Sequence, residues 1–156
     1  MILRLLFALT VLCLTACATS IDSLTPGTPL GTTERGFMKT TTGLSLTVRG
    51  RSYDQVWAAA DAAMARAVTA DAGTFSETLA LIDEDKARGV IRAAARNPLG
   101  VTWAYVGIFV SPVTPTAAAY VVAVSQKLKS EAEVVEGRDW ELELLRAIQA
   151  GLGATP

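Results

Sequence analysis

The chain has 156 residues, the size of an ordinary single domain. Its 51% apolar and 19% charged content is that of a globular protein and excludes a disordered chain. A net charge of -1 argues against a protein that binds nucleic acid by broad phosphate neutralisation. The absence of histidine removes His-ligated zinc and every Ser-His or Cys-His nucleophile pair.

The N-terminus reads as an export signal. Arg4 supplies a short positive segment, and Leu5 to Leu14 form an apolar stretch of roughly ten residues, inside the usual 7–15. That stretch is shorter than the roughly 20 residues a transmembrane helix needs. The competing reading is a buried N-terminal helix. Both cysteines, Cys13 and Cys17, lie at the end of this segment. Small residues follow: Thr15, Ala16, Cys17 and Ala18.

At Leu14-Thr15-Ala16-Cys17 the chain resembles the lipobox of bacterial lipoproteins: a Leu, a small or β-branched residue, a Gly or Ala, then Cys. The resemblance covers the first 17 or so residues. It implies a signal peptide over residues 1–16, a diacylglyceryl group on the thiol of Cys17, and further acylation (palmitate-type chains) on its new amino group. Two or more chains give stable anchoring where one does not. Cys13 does not fit, because bulky Leu12 precedes it. Ala18 in place of Asp implies outer-membrane localisation, on the periplasmic side. The alternative is plain secretion with cleavage after Ala18, which uses Ala16 and Ala18 as an A-x-A site.

Residues 18–43 are rich in Thr, Gly and Pro, and their apolar residues show no period. With Cys17 they are expected to form a flexible tether, residues 17–43, with an r.m.s. span of roughly 30 Å. The alternative is that Phe37 and Met38 pack on the domain as an irregular first strand.

From Leu44 periodicity appears, so a domain over residues 44–153 is expected. Leu44, Leu46 and Val48 alternate with polar residues, the mark of a half-buried strand. Residues 52–68 change to helical spacing. Ser52 and Gln55 form a capping box, and Tyr53, Val56, Trp57, Ala60, Met64 and Ala67 share a face. Residues 74–82 and 89–96 read as two strands around a charged turn. Residues 101–110 and 117–125 read as two more, separated by Pro112 and Pro115. The two prolines and the β-branched content argue against a membrane span over Val101 to Val124. A helix over 137–152 turns Trp140, Leu144, Ala147 and Ile148 inward, and Arg138, Glu141, Arg146 and Gln149 outward.

The expected fold class is α+β, an antiparallel sheet of about five strands with two amphipathic helices on one face. This β-α-β-β-β-β-α layout resembles small uncharacterised envelope-lipoprotein domains and, distantly, outer-membrane assembly lipoproteins of the BamC type. No functional residue carries over from either.

Several residue groups could carry function. Asp83, Glu84, Asp85 and Lys86 lack the ligand spacing of a calcium loop and read as a solvated turn. The C-terminal GLGATP has neither a Lys nor a following helix and is no phosphate loop. Ser52, Ser111 and Ser125 have no histidine; Ser125 and Lys127 share a strand face by periodicity alone. Arg92, Arg96, Lys127, Lys129 and Arg49 form a possible basic stripe on the helix-free face, suited to an anionic envelope polymer or lipid phosphate. The strand Val101 to Val110 is apolar on both faces, with Trp103, Tyr105 and Phe109 on one and Ala104, Val106, Ile108 and Val110 on the other. The set turned away from the helices needs a cover: a second layer, self-association, an envelope partner or the tether.

The functional expectation is a lipid-anchored envelope protein acting as a structural, assembly or binding accessory. It is not expected to be an enzyme, and no cofactor, metal or nucleic acid is implied. The alternative is an envelope hydrolase that uses Asp, Glu, Ser or Lys. Its weakness is the lack of a strand-borne acidic pair, with Glu77 and the Asp83–Asp85 group the only strand-associated acids before the last helix.

Overall fold

The structure, a computed structural model, describes residues 24–33, 36–70, 77–115, 118–129 and 138–153. The expected signal segment, residues 1–16, and Cys17 lie outside them. The strands are β1 (Pro29–Thr32), β2 (Met38–Thr40), β3 (Gly43–Arg49), β4 (Thr78–Asp85), β5 (Val90–Arg96), β6 (Thr102–Pro112) and β7 (Ala119–Leu128). The helices are α1 (Tyr53–Thr69) and α2 (Trp140–Gly151). The fold is α+β with one antiparallel sheet, as the hairpin pattern predicts. The sheet has seven strands, however, in the order β1-β2-β3-β7-β6-β5-β4.

The two extra strands come from the segment that composition assigns to the tether. β1 pairs with β2 and β2 with β3, so the folded part reaches back well before Leu44. Phe37 is 1% exposed and joins the main core. It packs just before β2, which agrees with the alternative reading of Phe37 and Met38. β1 is exposed along its whole length. It buries no apolar face, so no alternation marks it in the sequence.

β3, β5, β6 and β7 match their expected segments closely, whereas β4, expected over 74–82, runs over Thr78–Asp85 and takes in the three acids expected in the turn; residues 74–76 lie outside the described ones. α1 begins where the capping box says: Gln55 N donates to Ser52 Oγ at 3.2 Å, and Ser52 N donates to Gln55 Oε1 at 2.9 Å. α1 lies over β4 and β6, α2 lies over β7 and β3, and the helices touch each other. Val56, Trp57, Ala60 and Met64 of α1 meet Trp140, Leu144, Leu145 and Ile148 of α2 in one core. The sheet contributes Ile91, Ala93, Ala104, Val106, Ile108, Val110, Val122 and Val124 to that core.

Two facing expectations are corrected. Trp103 does not share a face with Tyr105 and Phe109. The β5–β6 register shifts there, with Ala95 opposite Ala104 and Arg96 opposite Thr102. Trp103 is the extra residue of this bulge, which turns its ring into the helix-side core. Glu141 does not face solvent, because the start of α2 lies against β7. Ala147 faces inward as expected, half-buried against the core.

β3 and β7 approach closely at Gly43. A Cβ there would run into the Val124 carbonyl oxygen and sit 3.0 Å from Glu141 Oε1. Gly43→Ala is therefore expected to lower stability by about 1–3 kcal/mol through overpacking. A denaturant melt with an unchanged midpoint would contradict this contact.

Candidate functional site

A cleft of about 490 Å³ opens where the β2–β3 turn, the end of β7 and the start of α2 meet. Thr40, Thr42, Lys39, Ser125, Lys127 and Glu141 supply its polar groups, and Leu24 and Leu44 its apolar ones. The turn holds itself by hydroxyls: Thr40 Oγ1 donates to the Gly43 carbonyl at 3.0 Å. Thr42 Oγ1 and Ser125 Oγ lie 3.1 Å apart, and they reach the Thr25 carbonyl at 3.0 and 3.2 Å. These hydroxyls thus clasp the N-terminal arm to the sheet.

Glu141 and Gln126 tie α2 to β7 reciprocally. Gln126 N donates to Glu141 Oε1 at 2.7 Å, and Trp140 N donates to Gln126 Oε1 at 3.2 Å. Asp139 caps the helix by accepting from Leu142 N at 3.0 Å. The Arg138 guanidinium lies 4.6 Å from the centre of the buried Trp140 ring and forms a fork with Glu143, with both contacts at 2.6 Å. Burial pushes the Glu141 carboxyl up to about 7, and the nearby Asp139 adds to this. The Gln126 N–H and the Lys39 ammonium pull the other way.

Among the described residues the cleft therefore holds a single carboxyl, poised near neutrality, with a lysine in its field. Paired-carboxylate hydrolysis needs a second acid about 5–9.5 Å away. Glu141 is the only acid lining this cleft among the described residues, and Asp139 is spent as a helix cap. Ser125 and Lys127 do share the helix-free face, but the Ser125 hydroxyl is engaged by Thr42 and Thr25. Ser52 is a cap, and Ser111 is exposed at the end of β6.

The acidic run is turned towards cations. Asp85 accepts from the Arg88 side chain at 2.6 Å and from its backbone N at 3.0 Å, and these bonds hold its carboxyl below its ordinary value. Asp83 lies 3.3 Å from Arg92. Lys86 lies 2.8 Å from Asp54, which raises its ammonium above its ordinary value. The Tyr53 hydroxyl donates to the Lys86 carbonyl, so the turn is fastened to the start of α1. Among the described residues no group of three His, Cys, Asp or Glu is placed to hold a metal ion.

The basic stripe is only partly assembled. Strand alternation puts Arg49, Arg92, Arg96 and Lys127 on the helix-free face, but Arg92 is bound to Asp83. Lys129 lies beyond β7. The apolar set on this face is partly covered by the chain itself. Leu24, 3% exposed, packs with Phe109 and Ala123, and half-buried Val90 and Tyr105 adjoin them. Gly107 leaves the room: a Cβ there would sit 2.9 Å from the Phe109 ring and 3.5 Å from Leu24 Cδ1. β6 lies between β5 and β7, so the Val101–Val110 backbone is no free edge for strand pairing.

A second cleft, about 390 Å³, lies between α1 and the end of α2. Its arginines serve helix carbonyls: Arg51 donates to Leu152 O at 2.8 Å and Arg66 to Ala62 O at 3.1 Å.

Neither cleft is predicted by sequence reasoning. The hydroxyl run Thr40–Thr42 before Gly43 is a visible signal for the first. The inward turn of Glu141 is not, because it depends on where β7 lies. No protein-family model matches the chain, and no curated protein matches it.

Glu141 makes stability depend on pH. Its folded value lies above the ordinary 4.5, so its contribution is complete below about 4.5 and is lost as pH rises through about 7. Glu141→Gln keeps an acceptor for Gln126 N and removes the charge. Thermal melts are expected to show a flatter profile between pH 4.5 and 8 and a more stable variant at pH 8. A variant destabilised equally at every pH would contradict this.

Proposed function

We propose that the chain is a lipid-anchored lipoprotein of the bacterial cell envelope, held through Cys17 on the periplasmic side of the outer membrane. Its α+β domain acts there as a binding or assembly accessory. The lipobox at residues 14–17 carries this reading, because it joins a short apolar signal to a cysteine at the spacing lipidation requires. The absence of a long apolar helix among the described residues is compatible with anchoring by lipid.

Two observations support binding over hydrolysis. Glu141, the one acid lining the main cleft among the described residues, already receives the Gln126 N–H and helps dock α2. The helix-free face is apolar at its centre and basic at Arg49, Arg96 and Lys127, which suits an anionic envelope component.

Metabolic labelling with an alkynyl palmitate tests the anchor. The wild-type chain is expected to take up label and fractionate with outer membranes, and Cys17→Ser is expected to abolish both. A soluble chain beginning at Thr19 with no acyl mass would overturn the reading.

A further inference from the structure

The N-terminal arm meets the domain at the middle of the helix-free face, and little chain remains beyond that point. Leu24 sits against Phe109 and Ala123, over the centre of the β6–β7 pair. Only residues 18–23 separate it from Cys17. Fully extended, that path spans at most about 25 Å; as a flexible coil it spans roughly 15 Å.

This inference rests on the lipid-anchor reading above, and the short reach then limits which side can meet the bilayer. To turn the helices towards the membrane, the arm must leave the sheet face and round the sheet, the nearest way being the cleft that Leu24 shares with Glu141 at the start of α2. It must then descend past the sheet and a helix layer about 10–12 Å thick. That descent takes up most of the extended length. The helix-free face reaches the surface with no detour.

The charge on that face agrees. Arg49 on β3, Arg96 on β5 and Lys127 on β7 alternate onto it and are exposed, although the whole chain carries a net charge of -1. Tyr105, half-buried beside the same apolar centre, has an apolar ring and a polar tip, as suits a headgroup layer. We propose that the helix-free sheet face lies against the anionic headgroups of the membrane that holds Cys17, with Leu24 as its central attachment point. Attraction of basic residues to an anionic leaflet falls off within a Debye length, so the contact weakens with salt.

The three tyrosines divide between the two sides. Tyr105 is on the helix-free face, whereas Tyr53 and Tyr120 pack against the helix-side core, with their rings 5.7 Å apart. The test uses the mature chain labelled with 3-fluorotyrosine and coupled through the Cys17 thiol to a maleimide lipid. The nanodiscs contain phosphatidylethanolamine, phosphatidylglycerol and a gadolinium-chelate lipid. The Tyr105 fluorine resonance is expected to broaden several times more than those of Tyr53 and Tyr120, and the double variant Arg49→Glu/Arg96→Glu is expected to lose that difference. Equal broadening of all three, stronger broadening of Tyr53 and Tyr120, or a double variant that behaves as the parent would overturn the proposal. Because the coupling is chemical, a failure of acylation in cells shows in the palmitate experiment and is separate from a failure of orientation here.

Discussion

The β6–β7 pair is apolar on both of its faces, and the rest of the structure answers the need to cover both. On one side Ala104, Val106, Ile108, Val110, Val122 and Val124 lie under the two helices. On the other, Phe109 and Ala123 need a cover that the helices cannot give, and Leu24 fills part of it in the space left by Gly107. A glycine inside an otherwise apolar strand often marks such a close approach. The hydroxyls of Thr42 and Ser125 then fix the arm by holding the Thr25 carbonyl. The N-terminal arm is therefore part of the fold, and the main cleft is the junction where this arm, the β2–β3 turn and α2 meet.

Polar tie-points surround the apolar layers and set where each element ends. Glu141 and Gln126 lock the start of α2 to β7, and the Lys86 turn locks the β4–β5 hairpin to the start of α1. These contacts give charged residues structural work that their sequence context does not suggest. The Asp83–Asp85 run looks like a solvated turn, yet all three of its acids sit on β4 and two of them meet arginines.

Much of the fold is legible in the sequence because burial writes a period. Leu44–Val48, the Ser52–Gln55 capping box and the two long hairpins are found where the spacing puts them. β1 is not legible, and β2 only as the alternative reading of Phe37 and Met38, since such short strands carry no apolar alternation and their Thr/Gly/Pro composition imitates a linker. Trp103 is misplaced by strict alternation because a bulge inserts one residue without altering composition. Glu141 is misplaced because a helical wheel shows which residues share a face but not which strand end that face meets. The resemblance of residues 14–17 to a lipobox is a motif reading, independent of the fold; the residues that make the main cleft come from three distant segments.

The shortened arm also changes how the anchored reading works physically. A long flexible tether would hold a domain clear of the headgroups, whereas an arm clasped from Leu24 onward keeps the proposed membrane contact within reach of its own sheet face. The central structural claim is that Leu24 is seated on Phe109 and Ala123. Solution NMR of the mature chain tests it most directly. Leu24 methyl resonances shifted by the Phe109 ring, with NOEs to Phe109 and Ala123, are predicted. Leu24 methyls at random-coil positions with no such NOEs would contradict it.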